Sequence, residues 1–179
     1  MLSPDNTVLV VIDIQGKLAQ IMYRKQIIFD NAQRIIKGAQ IVGIPVIVTE
    51  QNPKGLGPTV PEIAALFPQF QPLPKFSFSC CADPAFLHVL TDLERKQVLM
   101  TGIETHVCIY QTSMDLMELG YEVHVVADAV SSRTAENREI ALKRMRDEGL
   151  KITTTEMALF ELMKTSEAPC FKEVSRIVK

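Results

Sequence analysis

The clearest pattern along the chain is a series of short apolar segments separated by stretches with helical spacing. Thr7-Val8-Leu9-Val10-Val11-Ile12 carries no polar position after its threonine. A β-branched run without alternation reads as a strand buried on both faces, as in a parallel sheet covered by helices. Val46-Ile47-Val48-Thr49, Gln97-Val98-Leu99-Met100-Thr101, Glu122-Val123-His124-Val125-Val126 and Lys151-Ile152-Thr153-Thr154 predict four further strands. Between them, Ile28, Ala32, Ile35, Ala39 and Val42 line one face of a helix over about 26–42, stopped by Gly43 and Pro45. Asp83 as N-cap and Pro84 at the first helical position open a helix running to Leu93. Val107, Tyr110, Met114 and Met117 share one face of a helix from about Thr105 to Leu119, and Gly120 ends it. Helices are also predicted over 134–148 and 156–163. Segment 51–58 is a loop by its Gly and Pro content, and the chain from there to Pro74 is expected to lie over the surface.

Regular alternation of strand and helix predicts an α/β fold of three layers, α/β/α. The sheet is expected to be Rossmann-like, open and mostly parallel, with right-handed crossovers. A length of 179 residues suits one domain over 1–179. Ligands bind such sheets beyond the carboxyl ends of the strands, so those positions hold the candidate chemistry.

Composition narrows the picture. With 47% hydrophobic and 22% charged residues, the chain is not a disordered one. A formal net charge of -2 leaves no footprint for nucleic acid or an acidic membrane, and no apolar run reaches membrane-spanning length. Residues 1–6 lack the basic and apolar parts of a secretory signal, so the cytoplasm is the expected compartment. The four cysteines, Cys80, Cys81, Cys108 and Cys170, form no C-x-x-C pair, and the three histidines have no ligand spacing. Free thiols and no metal or cofactor are the expectation.

Three residues stand at the carboxyl edge. Asp13 follows the first strand, where it either caps a turn or sits buried with a partner as a general base does. Cys108 falls at the start of the helix after the third predicted strand. There it is either a packed structural thiol or a nucleophile, since free N–H groups and the helix dipole favour thiolate and an oxyanion. Lys75, in Leu73-Pro74-Lys75-Phe76-Ser77-Phe78, is a surface charge unless it turns inward to an anion such as Asp13 or a Cys108 thiolate.

Taken together these blocks resemble the isochorismatase-like hydrolases, a family of the cysteine hydrolase superfamily that includes nicotinamidases and N-carbamoylsarcosine amidohydrolases. The resemblance spans nearly the whole chain. It rests on Val11-Ile12-Asp13-Ile14-Gln15, on Lys75-Phe76, and on Gly102-Ile103-Glu104-Thr105-His106-Val107-Cys108, which fits the family's G-x-x-T-x-x-C block. Thr49-Glu50-Gln51-Asn52-Pro53-Lys54-Gly55-Leu56-Gly57 is similar to the isochorismatase domain-containing subgroup. The resemblance implies a catalytic triad of Asp13, Lys75 and Cys108 and a cis peptide at Ile103–Glu104. It also implies an oxyanion hole from the N–H groups of Glu104 and Cys108, with Gln15, Gln51 and Phe76 as substrate-binding residues. The implied reaction is covalent hydrolysis of a small amide-like, C–N bonded substrate. Nicotinamidases hold a metal through histidines after the second strand; here Glu50-Gln51-Asn52-Pro53-Lys54 has none, so no such metal is expected and nicotinamide is disfavoured. Isochorismatases proper lack the cysteine of this block, so isochorismate is disfavoured too.

Two other readings stay open: an idle family member acting as a binding or scaffold protein, and a thiol-redox protein pairing Cys108 with Cys80 or Cys81. The expected partners are a small-molecule substrate and further copies of the chain, with residues 168–174 as a candidate contact, and neither nucleic acid nor membrane.

Overall fold

A computed structural model describes residues 1–179. Six strands form one sheet: β1 (Thr7–Ile12), β2 (Val46–Gln51), β3 (Leu73–Lys75), β4 (Gln97–Ile103), β5 (Glu122–Ser131) and β6 (Lys151–Thr153), in the spatial order β3-β2-β1-β4-β5-β6. Every pairing is parallel, which goes beyond the mostly parallel sheet expected. The nine α-helices are α1 (Gly16–Gln20), α2 (Lys25–Ile41), α3 (Pro53–Leu56), α4 (Pro61–Ala64), α5 (Pro84–Asp92), α6 (Tyr110–Glu118), α7 (Ala135–Asp147), α8 (Thr155–Met163) and α9 (Phe171–Val178). None is long and apolar enough to cross a membrane.

All six residues of β1 are buried, because helices cover both faces of the sheet. Leu9, Val11 and Leu99 face one layer, where α2, α8 and α9 bring Ile35, Leu159 and Val174. Val8, Val10 and Met100 face the other, with Phe86 and Leu90 of α5, Leu116 of α6 and Met145 of α7. The capping signals operate as expected: Asp83 accepts from Ala85 N at 2.9 Å and Thr134 from Asn137 N at 3.3 Å.

Four elements depart from the sequence reading. β3 is a three-residue edge strand built around Pro74, a residue that the ladder tolerates at an edge because it has no N–H to donate. β5 continues past Val126 to Ser131 because an irregularity lets Val130 and Ser131 rejoin β4 opposite Gly102 and Ile103. The surface stretch before Pro74 includes α4, which sends Ile63 into the core. The candidate contact segment 168–174 leads into α9, whose Val174 is buried against the chain's own core.

The chain moves outward through β1, β2 and β3, then returns to lay β4 on the other side of β1. That reversal opens a crevice at the carboxyl ends of β1 and β4. Both strands turn sharply there. Gly102 has φ +137, opposite Ile12, and a Cβ on it would lie 2.2 Å from the Ile12 carbonyl oxygen. Asp13 follows with φ 56, a left-handed conformation to which aspartate adapts better than most residues. Gly102→Ala therefore strains both backbone and contact. The expected loss is about 3 kcal/mol or more, read by chemical denaturation monitored through circular dichroism.

Candidate functional site

The crevice collects residues from four parts of the chain. Asp13 leaves β1, Lys75 ends β3, Gln51 ends β2 beside it, and Cys108 lies beyond β4. Lys75 is 1% exposed, Asp13 2% and Cys108 6%, so all three titratable groups are withdrawn from water.

Lys75 turns inward. Its Nζ lies 2.8 Å from Asp13 Oδ2 and donates to Gln51 Oε1 at 2.7 Å, with Ser77 O at 3.1 Å and Phe78 O at 3.2 Å. An ammonium has three hydrogens, and these four acceptors use all of them. Asp13 is held on its other oxygen by Thr49 Oγ1 at 2.8 Å. Beyond the ammonium contact, Oδ2 takes no hydrogen bond, so it keeps room for a proton. Burial alone pulls the Lys75 ammonium down, but the charges of Asp13 and the neighbouring thiols outweigh it and leave the pKa above its usual value.

The Cys108 thiol behaves otherwise than its place near a helix start suggests. Burial first, and the Asp13 carboxylate second, push its pKa up to about 12 against the pull of Lys75. The resting group is thus a neutral thiol. Desolvation outweighs the helix-end field that the sequence reading relied on. Moreover, the first turn is not α-helical: Thr105–Ile109 forms a π-helical turn, and α6 starts only at Tyr110. Cys80, buried nearby, is likewise pushed up to about 11 by burial.

The Ile103–Glu104 peptide is trans, not the cis bond that the resemblance implied. The turn into the π-helical segment is made instead by Gly102 and by Glu104 itself, in a left-handed conformation with φ 56 and ψ 65. The Glu104 side chain is held on one oxygen, where Arg133 Nε donates to Oε1 at 2.7 Å; His106 Nδ1 lies 3.2 Å from Oε2, which takes no hydrogen bond. His106 Nδ1 also meets Ser132 Oγ at 3.0 Å. The Glu104 N–H has no acceptor within the protein.

Cys108 and Asp13 open onto a cavity of about 310 Å³. Its walls are largely apolar, with Leu18, Leu56, Phe78, Ile103 and Val107, and Arg133 stands among them. The volume lies at the small end of ligand pockets. Phe78 takes the place expected of Phe76, whose side chain is 74% exposed and which contributes only its carbonyl, to Gln51 Nε2 at 2.7 Å. Gln51 borders the cavity, whereas Gln15 is fully buried behind it. Arg133 was missed in the sequence. No local signal marks it, since it reaches the site from the β5–α7 turn only because β5 extends to Ser131. Glu50, the one acid after the second strand, spends Oε1 on Thr59 N and Oγ1 at 2.6 and 2.7 Å. With no imidazole beside it, that segment does not suit a metal of the nicotinamidase kind.

These charges make a signed prediction for Asp13→Asn. The substitution removes the carboxylate charge that raises the Cys108 pKa and leaves burial opposed by Lys75. Alkylation of Cys108 by iodoacetamide, followed by peptide mass spectrometry, is expected to begin at lower pH in the variant than in the wild type.

The isochorismatase domain family matches residues 7–157. The chain is 40% identical to isochorismatase domain-containing protein 2 of Danio rerio, over 99% of this chain and 89% of that protein. It is 38% identical to the secreted isochorismatase effector Isc1 of Phytophthora sojae, over 99% of this chain and 87% of the effector. A solved Caenorhabditis elegans structure, described as MAR1 ribonuclease, superposes with a TM-score of 0.93 at 41% identity, covering 99% of this chain and 91% of that one. With the fold and nearly the full length matched, the chain belongs to the isochorismatase family.

Proposed function

We propose that the protein is a cysteine hydrolase that cleaves a small amide-like C–N bond through an acyl-enzyme on Cys108. The observation that carries this reading is a buried Asp13–Lys75 ion pair set beside a neutral thiol on the wall of a small, largely apolar cavity.

In this reading Asp13 is the general base. As Cys108 Sγ attacks the carbonyl carbon, the thiol proton passes to Asp13 Oδ2, and the carbonyl π electrons move to oxygen. The N–H groups of Glu104 and Cys108 hold the resulting oxyanion. Collapse breaks the C–N bond, and the leaving nitrogen takes the proton from Asp13, which returns to carboxylate. Water, deprotonated by Asp13, then attacks the thioester; the acid departs and the proton goes back to sulfur. Lys75 makes no direct contact with the carbonyl, because its hydrogens are already committed. It acts by charge, balancing the buried Asp13 carboxylate at 2.8 Å.

The cavity also constrains the substrate. The Glu104 carboxylate engages only the Nε of Arg133, which leaves the two terminal nitrogens of the guanidinium without protein acceptors. A fork of this kind suits a carboxylate, so amides of small acids that keep a second carboxylate are favoured. Ribonuclease action, named for the Caenorhabditis elegans relative, is less well supported. No imidazole lines the cavity to act as a paired acid and base, and a net charge of -2 provides no field for a polyanion.

Two variants test the reading through ammonia release from a panel of small primary amides that includes succinamate and succinamide. Cys108→Ala is expected to lose at least about a thousandfold in kcat. Turnover that survives Cys108→Ala would remove the covalent mechanism. Arg133→Gln is expected to raise KM for succinamate by about tenfold, the effect of one lost charge-assisted contact, and to leave succinamide unchanged.

A further inference from the structure

Gln51 borders the cavity, where an amide side chain would ordinarily be read as a substrate ligand. Both of its ends, however, are already engaged. Nε2 donates to Phe76 O at 2.7 Å and Oε1 accepts from Lys75 Nζ at 2.7 Å. Turning the amide over would set its NH2 against the ammonium and its oxygen against a carbonyl, so the orientation is fixed. Gln15 fixes the residue in turn. Its Oε1 accepts from Gln51 N at 2.7 Å and its Nε2 donates to Gln51 O at 2.9 Å, so one buried side chain holds both main-chain polar groups of Gln51. The same Nε2 donates to Gly57 O at 2.7 Å, next to Leu56 on the cavity wall. Of the four acceptors around Lys75, Gln51 makes the shortest contact, and the two carbonyls make the longest.

We infer that Gln15 and Gln51 are a positioning pair that aims the Lys75 ammonium at Asp13 and ties that aim to the Leu56 wall of the cavity. This deepens the hydrolase reading, on which its kinetic consequence rests, and it removes both glutamines from the set of direct substrate ligands. The path runs Gly57, Gln15, Gln51, Lys75, Asp13, and each link is a contact of 2.9 Å or less. An occupant that shifts Leu56 therefore moves the ammonium relative to the Asp13 carboxylate. No covalent change is involved.

The test uses the full chain labelled with 15N. A buried ammonium with all its hydrogens bonded exchanges slowly enough to show an Nζ–H signal in proton–nitrogen correlation spectra, and loss of that signal in Lys75→Arg assigns it. The wild type is expected to show it at neutral pH. Gln51→Met keeps the size of the side chain but removes the acceptor, and is expected to speed exchange by about tenfold, the scale of one hydrogen bond. Gln51→Glu keeps an acceptor there and is expected to retain the signal. An Nζ exchange rate in Gln51→Met equal to that of the wild type would overturn the inference. With succinamate as substrate, a positioning role lowers kcat in Gln51→Met and spares KM, whereas a substrate ligand would raise KM. A chain that hydrolyses no amide yet shows the exchange pattern refutes the hydrolase reading alone, so the two failures are distinguishable.

Discussion

The rest of the site depends on the ion pair between Lys75 and Asp13. Taking two charges out of water costs several kcal/mol for each, and their attraction repays this only with close geometry and further hydrogen bonds. Here the contact is 2.8 Å, and Thr49, Gln51 and two carbonyls supply the remaining partners. Several odd features of the fold serve this arrangement. A proline-bearing edge strand of three residues delivers Lys75 beside Gln51. A left-handed Asp13 bends the chain at the end of β1. The carbonyls of Ser77 and Phe78 fold back on the ammonium, and Phe78 thereby becomes part of the cavity wall.

The pair also bears on the proposal that a buried thiol serves as nucleophile. A thiol at a pKa of about 12 is nearly all protonated at neutral pH. The carboxylate that raises this pKa is the group placed to take the proton. In the proposed mechanism, the charge that keeps sulfur protonated at rest is also the one that takes its proton. With its hydrogens committed to protein acceptors, the Lys75 ammonium is not free to hold a substrate oxygen, so that mechanism assigns the oxyanion to backbone groups. The Glu104 main chain assigned to that task is anchored through its side chain by Arg133.

Much of this was legible in the sequence. The apolar runs located β1, β2, β4 and β6, and the spacing and caps located the longer helices, because these signals depend on neighbours in the chain. Asp13 and Cys108 were picked out by their place after predicted strands, and Lys75 by the family resemblance. What escaped depended on partners far away. β3 is too short and too proline-marked to read as a strand, and only its pairing with β2 makes it one. Arg133 enters the cavity because β5 resumes its pairing at Val130 and Ser131, past an irregularity that no local pattern announces. Phe76 was the expected ring at the site, but Phe78 borders the cavity instead, and nothing local to either residue distinguishes them. The thiol was misjudged because a helix end is visible in sequence, while desolvation by distant residues is not.

The raised thiol pKa also bears on how the protein survives its own synthesis. Burial and the nearness of Asp13 are absent from the nascent chain, where Cys108 has the acidity of any cysteine, with a pKa near 9.0. Asp13, Lys75 and Cys108 lie far apart in sequence, so the environment that protonates the sulfur forms only after β4 has docked beside β1. An oxidant or electrophile that attacks thiolates thus finds a larger reactive fraction on a ribosome-bound or partly unfolded chain than on the finished one. Folding in this protein puts its own reactive sulfur under cover, and damage by stray electrophiles is expected to track the unfolded fraction rather than the amount of mature protein.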